Sequence, residues 1–132
     1  MGRLILLLDT HVLLWWLFDD SRLGDVFAAT ISDTGNRICV SAASAWEISS
    51  KFRLGKLPDA KPLVEDFEGL MARARFSILP VSARHAVLAG SWQVPHRDPF
   101  DRMLAAQSHI EGMPLMSVDQ AFTQFDMEIF AS

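Results

Sequence analysis

The sequence predicts an α/β domain built on a parallel sheet of about five strands with helices on both faces. Three observations carry that prediction. Short apolar runs of strand length alternate with longer stretches of helical periodicity. The runs are apolar throughout rather than at every second residue, as strands covered on both faces are. Capping and turn residues stand at most junctions. A strand, helix, strand order needs right-handed crossovers between parallel neighbours, and those place helices over the sheet.

The elements follow in order. "RLILLLD" (3–9) reads as the first buried strand, and 10–18 as a compact apolar helix. A helix over 22–34 ends at Gly35, and "RICVS" (37–41) is the second strand. Ser41 opens a helix over 42–54 that Gly55 closes, and Pro62 opens another over 62–75. "FSILPV" (76–81) is the third strand, followed by a helix over 82–92. Asp98 and Pro99 start a helix over 99–111 that stops at Gly112. "MPLMSV" (113–118), a short helical piece near 119–125 and "MEIFA" (127–131) complete the list.

The totals fit one domain over residues 1–132. Half of the residues are hydrophobic, which supplies a sizeable core. Cys39 is the single cysteine and lies in an apolar run, so it reads as a buried strand residue, and a reducing cytoplasm fits. The opening "MGRLILLLDTHVLLWWLF" is interrupted by Asp9 and His11, leaving apolar runs of five and seven residues, too short for a membrane span or an export signal. Twelve Lys and Arg against sixteen Asp and Glu give a net charge of −4, so a broad basic footprint for duplex DNA is absent. Trp15, Trp16, Phe18 and Trp46 divide between core and surface groove, with half of them expected in the core.

The acids carry the chemistry. In parallel α/β sheets, sites form beyond the carboxyl ends of the strands. Asp9 ends the first strand, Asp119 follows "MPLMSV", Asp98 and Asp101 begin the helix leading into that strand, and Glu47 lies in the helix after the second. Each has a local explanation as a helix cap or a surface charge; four such accidents at one sheet edge do not. At ~5 Å and an effective dielectric of ~20, two carboxylates repel by roughly 3 kcal/mol. Several such pairs rival the roughly 5–15 kcal/mol that holds a domain folded. A hard divalent cation relieves this, and Mg²⁺, with Mn²⁺ as the substitute, takes oxygen ligands and keeps waters and phosphate oxygens in its shell. His11, His85, His96 and His109 are scattered without zinc spacing. A carboxylate-held Mg²⁺ beside Lys51, Arg53, Lys56, Arg97 and Arg102 points to phosphodiester chemistry, with those cations as substrate-binding candidates.

"LLLDTHVLLWW", "SAWEISSKFRLGKL", "HRDPFDRMLAAQ" and "LMSVD" resemble, in order and spacing, the motifs of the PIN-domain ribonucleases, and among them the VapC toxins of bacterial toxin-antitoxin systems. The likeness spans nearly the whole chain. It implies a PIN-like three-layer sandwich, with Asp9, Glu47, Asp101 and Asp119 on the family's acidic metal-site positions. Asp98 is then an additional acid and Ser117 a polar neighbour of the metal or phosphate. It further implies Mg²⁺-dependent cleavage of RNA, a homodimer, a cognate antitoxin protein and a cytoplasmic setting.

Two rivals in the same architecture fit poorly. A phosphatase with an aspartyl nucleophile places a second Asp two residues on, where His11 stands here. A phospho-receiver needs an Asp after its third strand and a Lys after its fifth, whereas these strands run into Ser82 and Ser132. The serious alternative is a PIN-like RNA-binding module that does not cut.

Overall fold

The computed structural model describes residues 3–131; Met1, Gly2 and Ser132, the ends of the expected domain, lie outside the described residues. Five parallel strands form one sheet: β1 (Ile5–Leu8), β2 (Arg37–Ser41), β3 (Ser77–Leu79), β4 (Leu115–Met116) and β5 (Ile129–Phe130), in the order β3-β2-β1-β4-β5. The helices are α1 (Thr10–Leu17), α2 (Asp25–Ser32), α3 (Ala42–Arg53), α4 (Lys61–Glu65), α5 (Phe67–Ala74), α6 (Ala83–Ser91) and α7 (Pro99–Glu111).

The unbroken apolar runs are explained by the two faces of the sheet. Side chains alternate along a strand, so Leu6, Leu8, Ile38, Val40 and Met116 face one core, shared with Val12, Phe27, Ile48 and Met71 from α1, α2, α3 and α5. Leu7, Cys39 and Leu115 face the other, against Leu104 and Ala105 of α7 and Phe122 and Phe125 beyond β4. Helix α6 packs on α7. Trp15 and Trp16 pack against the first core, whereas Phe18 and Trp46 are exposed, so half of the four aromatic residues are core. No helix among the described residues is long and apolar enough to cross a membrane.

Two expected helices are broken by local chemistry. The span 22–34 divides into a 3₁₀ turn (Ser21–Leu23) and α2, because Gly24 adopts φ +79° between them. The Asp20 carboxylate accepts from the Arg22 amide at 2.9 Å to start that turn. The span 62–75 divides at Asp66, whose non-helical backbone (φ −152°, ψ 66°) ends α4 while its carboxylate accepts from the Gly69 amide at 3.0 Å and caps α5. Helix α7 keeps its expected bounds: Asp98 caps it, and Gly112 closes it at φ +66°, a conformation a side chain would strain. The second strand keeps its expected bounds, the other four shrink to their paired centres, and the piece near 119–125 is a 3₁₀ turn (Gln120–Gln124).

The chain runs outward from β1 to β2 and β3, then returns through α6 and α7 to lay β4 on the other side of β1. That reversal leaves a crevice at the carboxyl ends of β1 and β4, where open α/β sheets bind ligands.

Candidate active site

Asp9 is the first residue beyond β1 and sits in the N-cap position of α1, with φ −60° and ψ 147°. Its carboxylate nevertheless makes no capping hydrogen bond. It accepts from the Ser117 hydroxyl at 2.7 Å, across the crevice from beyond β4, while its amide donates to the Met116 carbonyl at 3.1 Å. Helix capping therefore does not explain this residue. Ser117 is buried and its oxygen also accepts from the Asp119 amide at 3.0 Å, so one hydroxyl fixes the acid of β1 against the turn that carries Asp119.

Glu47 is buried, not a surface glutamate. Lys51, one turn later on α3, donates to its Oε2 at 2.6 Å. A buried contact of 2.8 Å between the hydroxyls of Thr10 and Ser44 ties the start of α1 to α3 and sets Glu47 beside Asp9. Asp101, in the first turn of α7, meets His96 Nε2 at 2.8 Å through its Oδ2. Asp98 is the cap its position predicts, accepting from the Phe100 and Asp101 amides at 2.9 and 3.0 Å. Asp119 likewise caps the following 3₁₀ turn, through the Ala121 amide at 2.9 Å.

These acids share one electrostatic site. Burial pushes the Asp9 carboxyl above the usual carboxylate range; the Ser117 hydrogen bond and His11 oppose the rise, and the charges of Glu47 and Asp119 add to it. Asp101 is pushed up to about 6, first by burial, with His96 opposing and Asp98 and Asp9 contributing. For Lys51, burial opposes the charge, but the hydrogen bond and charge of Glu47, with Asp98 and Asp101, override it and hold the ammonium above its ordinary value. The acids after β1, on α3, at the start of α7 and after β4 are thus near enough for their charges to reach Asp9 or Asp101. Among the described residues no three His, Cys, Asp or Glu side chains are already drawn together at ligand spacing. Each carboxylate is instead turned to its own partner: Ser117, Lys51, His96 or a backbone amide.

The basic candidates separate. Arg102 is not a phosphate-binding residue, because its guanidinium is spent on the chain itself: Nε donates to the Ala89 carbonyl, Nη1 to those of Val94 and His96, and Nη2 to that of Trp92. Lys51 is held by Glu47 inside the site. Arg53, Lys56 and Arg97 are exposed. His96 is the site residue that sequence reasoning missed. It stands five positions before Asp101 in an irregular segment, where neither periodicity nor ligand spacing marks it.

Capping and chemistry at Asp98 are separable by substitution. Asp98→Asn keeps a side-chain acceptor and is expected to stay within a few tenths of a kcal/mol of the parent in urea unfolding, whereas Asp98→Ala loses about 1 kcal/mol. An Asn variant as unstable as the Ala variant would show that the charge itself holds the helix start.

A family model described as "PIN domain" matches residues 6–127. The chain is 45% identical over 58 residues to Ribonuclease VapC16 of Mycobacterium tuberculosis, a match covering 44% of this chain and 40% of that protein. It thus spans about two fifths of that relative's length. The fold is similar to a chain of the crystal structure of VapBC2 from Rickettsia felis bound to a DNA fragment from their promoter, with a TM-score of 0.65, 13% identity and coverage of 98% of this chain and 99% of that one. From the match over nearly its whole length, the chain belongs to the PIN-domain family.

Proposed function

We propose that this protein is a metal-dependent endoribonuclease, the toxin of a type II toxin-antitoxin pair, that hydrolyses RNA phosphodiester bonds. One observation carries the reading. Asp9, at the switch point of the sheet, is withdrawn from helix capping, pinned by Ser117 and crowded by Glu47 and Asp119. A fold gains nothing from that arrangement unless a cation or substrate uses it. Similarity to a protein named a ribonuclease, and a fold shared with a VapBC complex, support the nuclease and antitoxin parts.

The donors fit a hard cation. They are carboxylate oxygens, two of which resist ionisation chiefly through burial with neighbouring acids adding to it, and no cysteine stands among them. Asp9 and Asp101 are the principal candidates for holding Mg²⁺ or Mn²⁺, with Glu47 and Asp119 completing the shell directly or through water. Such an ion, when bound, supplies charge neutralisation at the phosphate and lowers the pKa of a bound water. The chain's own residues do the rest. Ser117 orients Asp9, His96 orients Asp101, and Lys51 holds the carboxylate of buried Glu47 at 2.6 Å. Arg97 and Arg53 are exposed cations available to steer the polyanion. Water is the nucleophile in this reading, and a homodimer is the expected assembly.

The test is cleavage of RNA by the purified protein with Mg²⁺ or Mn²⁺ and its loss with EDTA. RNA retained uncut under all of these conditions would identify a non-cleaving RNA-binding module instead.

Thermal stability supplies an independent prediction. Asp101 holds its proton to about pH 6, against a usual value near 4, so the folded state binds more protons than the unfolded chain across that window. The contribution of this carboxyl to the stability of the metal-free protein is therefore greatest at the acid end and is lost as pH rises through about 6. Metal at ~100 times its Kd is expected to raise Tm by about 4–10 °C near pH 7.5, and clearly less near pH 5, where protons compete for the carboxylates. Equal increments at both pH values, or none, would count against carboxylate ligation.

A further inference from the structure

Trp46 is 63% exposed, the residue immediately before buried Glu47 on α3. Its indole meets the Phe100 ring edge-on, with centroids 4.8 Å apart and planes at 74°, and Phe100 immediately precedes Asp101 on α7. Both aromatics line a concave pocket of about 250 Å³ together with Ala86, Ala89, Gly90, Met103 and Arg97.

We propose that this pocket is a nucleobase subsite, in which Trp46 stacks on an unpaired base next to the scissile phosphate and Arg97 meets the adjoining phosphate. The inference rests on the nuclease reading above and adds to it the part of the substrate that the site grips. Three features favour a base over a side chain of a partner protein. The pocket is small, and Ala86, Ala89 and Gly90 in its lining add little bulk beside the two rings, which leaves room for a flat base. Its two aromatic residues each precede an acid of the site in sequence, Trp46 before Glu47 and Phe100 before Asp101, so the pocket lies between the two helices that carry those acids, whose charges both reach Lys51. The protein is acidic overall, so backbone charge contacts supply little of the affinity for a polyanion. Stacking needs no net charge and works on any base.

The two readings separate in one set of experiments. Trp46→Phe and Trp46→Leu are made in the parent and in the cleavage-silent Asp101→Asn background, and native thermal unfolding confirms that each folds. Binding is followed by tryptophan fluorescence with a pool of short single-stranded RNAs of randomised sequence, against an abasic sugar-phosphate chain of equal length. The expected result is quenching by RNA but not by the abasic chain, lost in Trp46→Leu. Affinity should be weakened about 5- to 100-fold in Trp46→Leu and largely restored in Trp46→Phe. In cleavage assays the same loss should appear in KM with kcat little changed. If the parent cuts RNA and Trp46→Leu keeps its KM and RNA affinity, the subsite is wrong and the nuclease stands. If the parent never cuts yet RNA quenches Trp46, the subsite stands and the nuclease reading fails. Quenching by the abasic chain equal to that by RNA, or a Trp46→Leu defect confined to binding a partner protein, would overturn the subsite.

Discussion

Asp101→Asn is expected to abolish RNA cleavage, by at least about 100-fold, while leaving the fold intact. The substitution keeps the shape of a half-buried side chain and a polar atom facing His96, and it removes one negative charge from a site that repels charge. Because that carboxyl ionises only near pH 6, the metal-free variant should be no less stable than the parent at neutral pH, and more stable by about 1 kcal/mol after allowance for solvent screening. The metal-induced rise in Tm should shrink with it. Asp9→Asn should behave in the same way, since its raised carboxyl has the same origin in burial and neighbouring acids. The pairing of lost activity with retained or increased stability separates a functional acid from a structural one. Either variant cutting RNA at the parent rate would defeat the site assignment.

Arg102 should show the opposite pattern. Replacing it with Met leaves the carbonyls of Ala89, Trp92, Val94 and His96 without the donor that gathers them onto α7. Removing a charged donor from several partly buried acceptors costs about 3–5 kcal/mol, which for a domain of this size lowers Tm by about 10 °C or more and moves the urea midpoint accordingly. Arg102→Lys should recover little, because one ammonium cannot reach acceptors spread over eight residues as a planar fork does. The clasped segment also carries His96 to Asp101, so surviving activity should fall as well. Unchanged stability with a raised KM would return Arg102 to the substrate-binding role its position first implied.

These two residues, one position apart, show where sequence reasoning holds and where it stops. The acids were legible because strand ends and helix starts are set by local rules: an apolar run ends, a cap follows, and topology brings the carboxyl ends of β1 and β4 together. The same rules gave α7 its bounds and the parallel sheet its two covered faces. Helix breaks at Gly24 and Asp66 were missed because periodicity averages over a turn, whereas a single backbone conformation or one carboxylate-to-amide bond ends a helix. The fate of a cation is not local. Whether Arg102 meets solvent or four carbonyls, and whether Lys51 steers a phosphate or neutralises Glu47, depends on which remote segment lands beside it.

By itself the sequence determined the layers, the places of Asp9 and Asp119 in the segments that follow two neighbouring strands, and the acidic character of that sheet edge, because apolar patterning and capping act over a few neighbouring residues. Only the tertiary structure decided that Ser117 rather than α1 takes the Asp9 carboxylate, that His96 faces Asp101 and that Trp46 stays in solvent beside Phe100. Those contacts join residues far apart in the chain or set by irregular backbone, and their geometry exists only once the sheet has closed the distance.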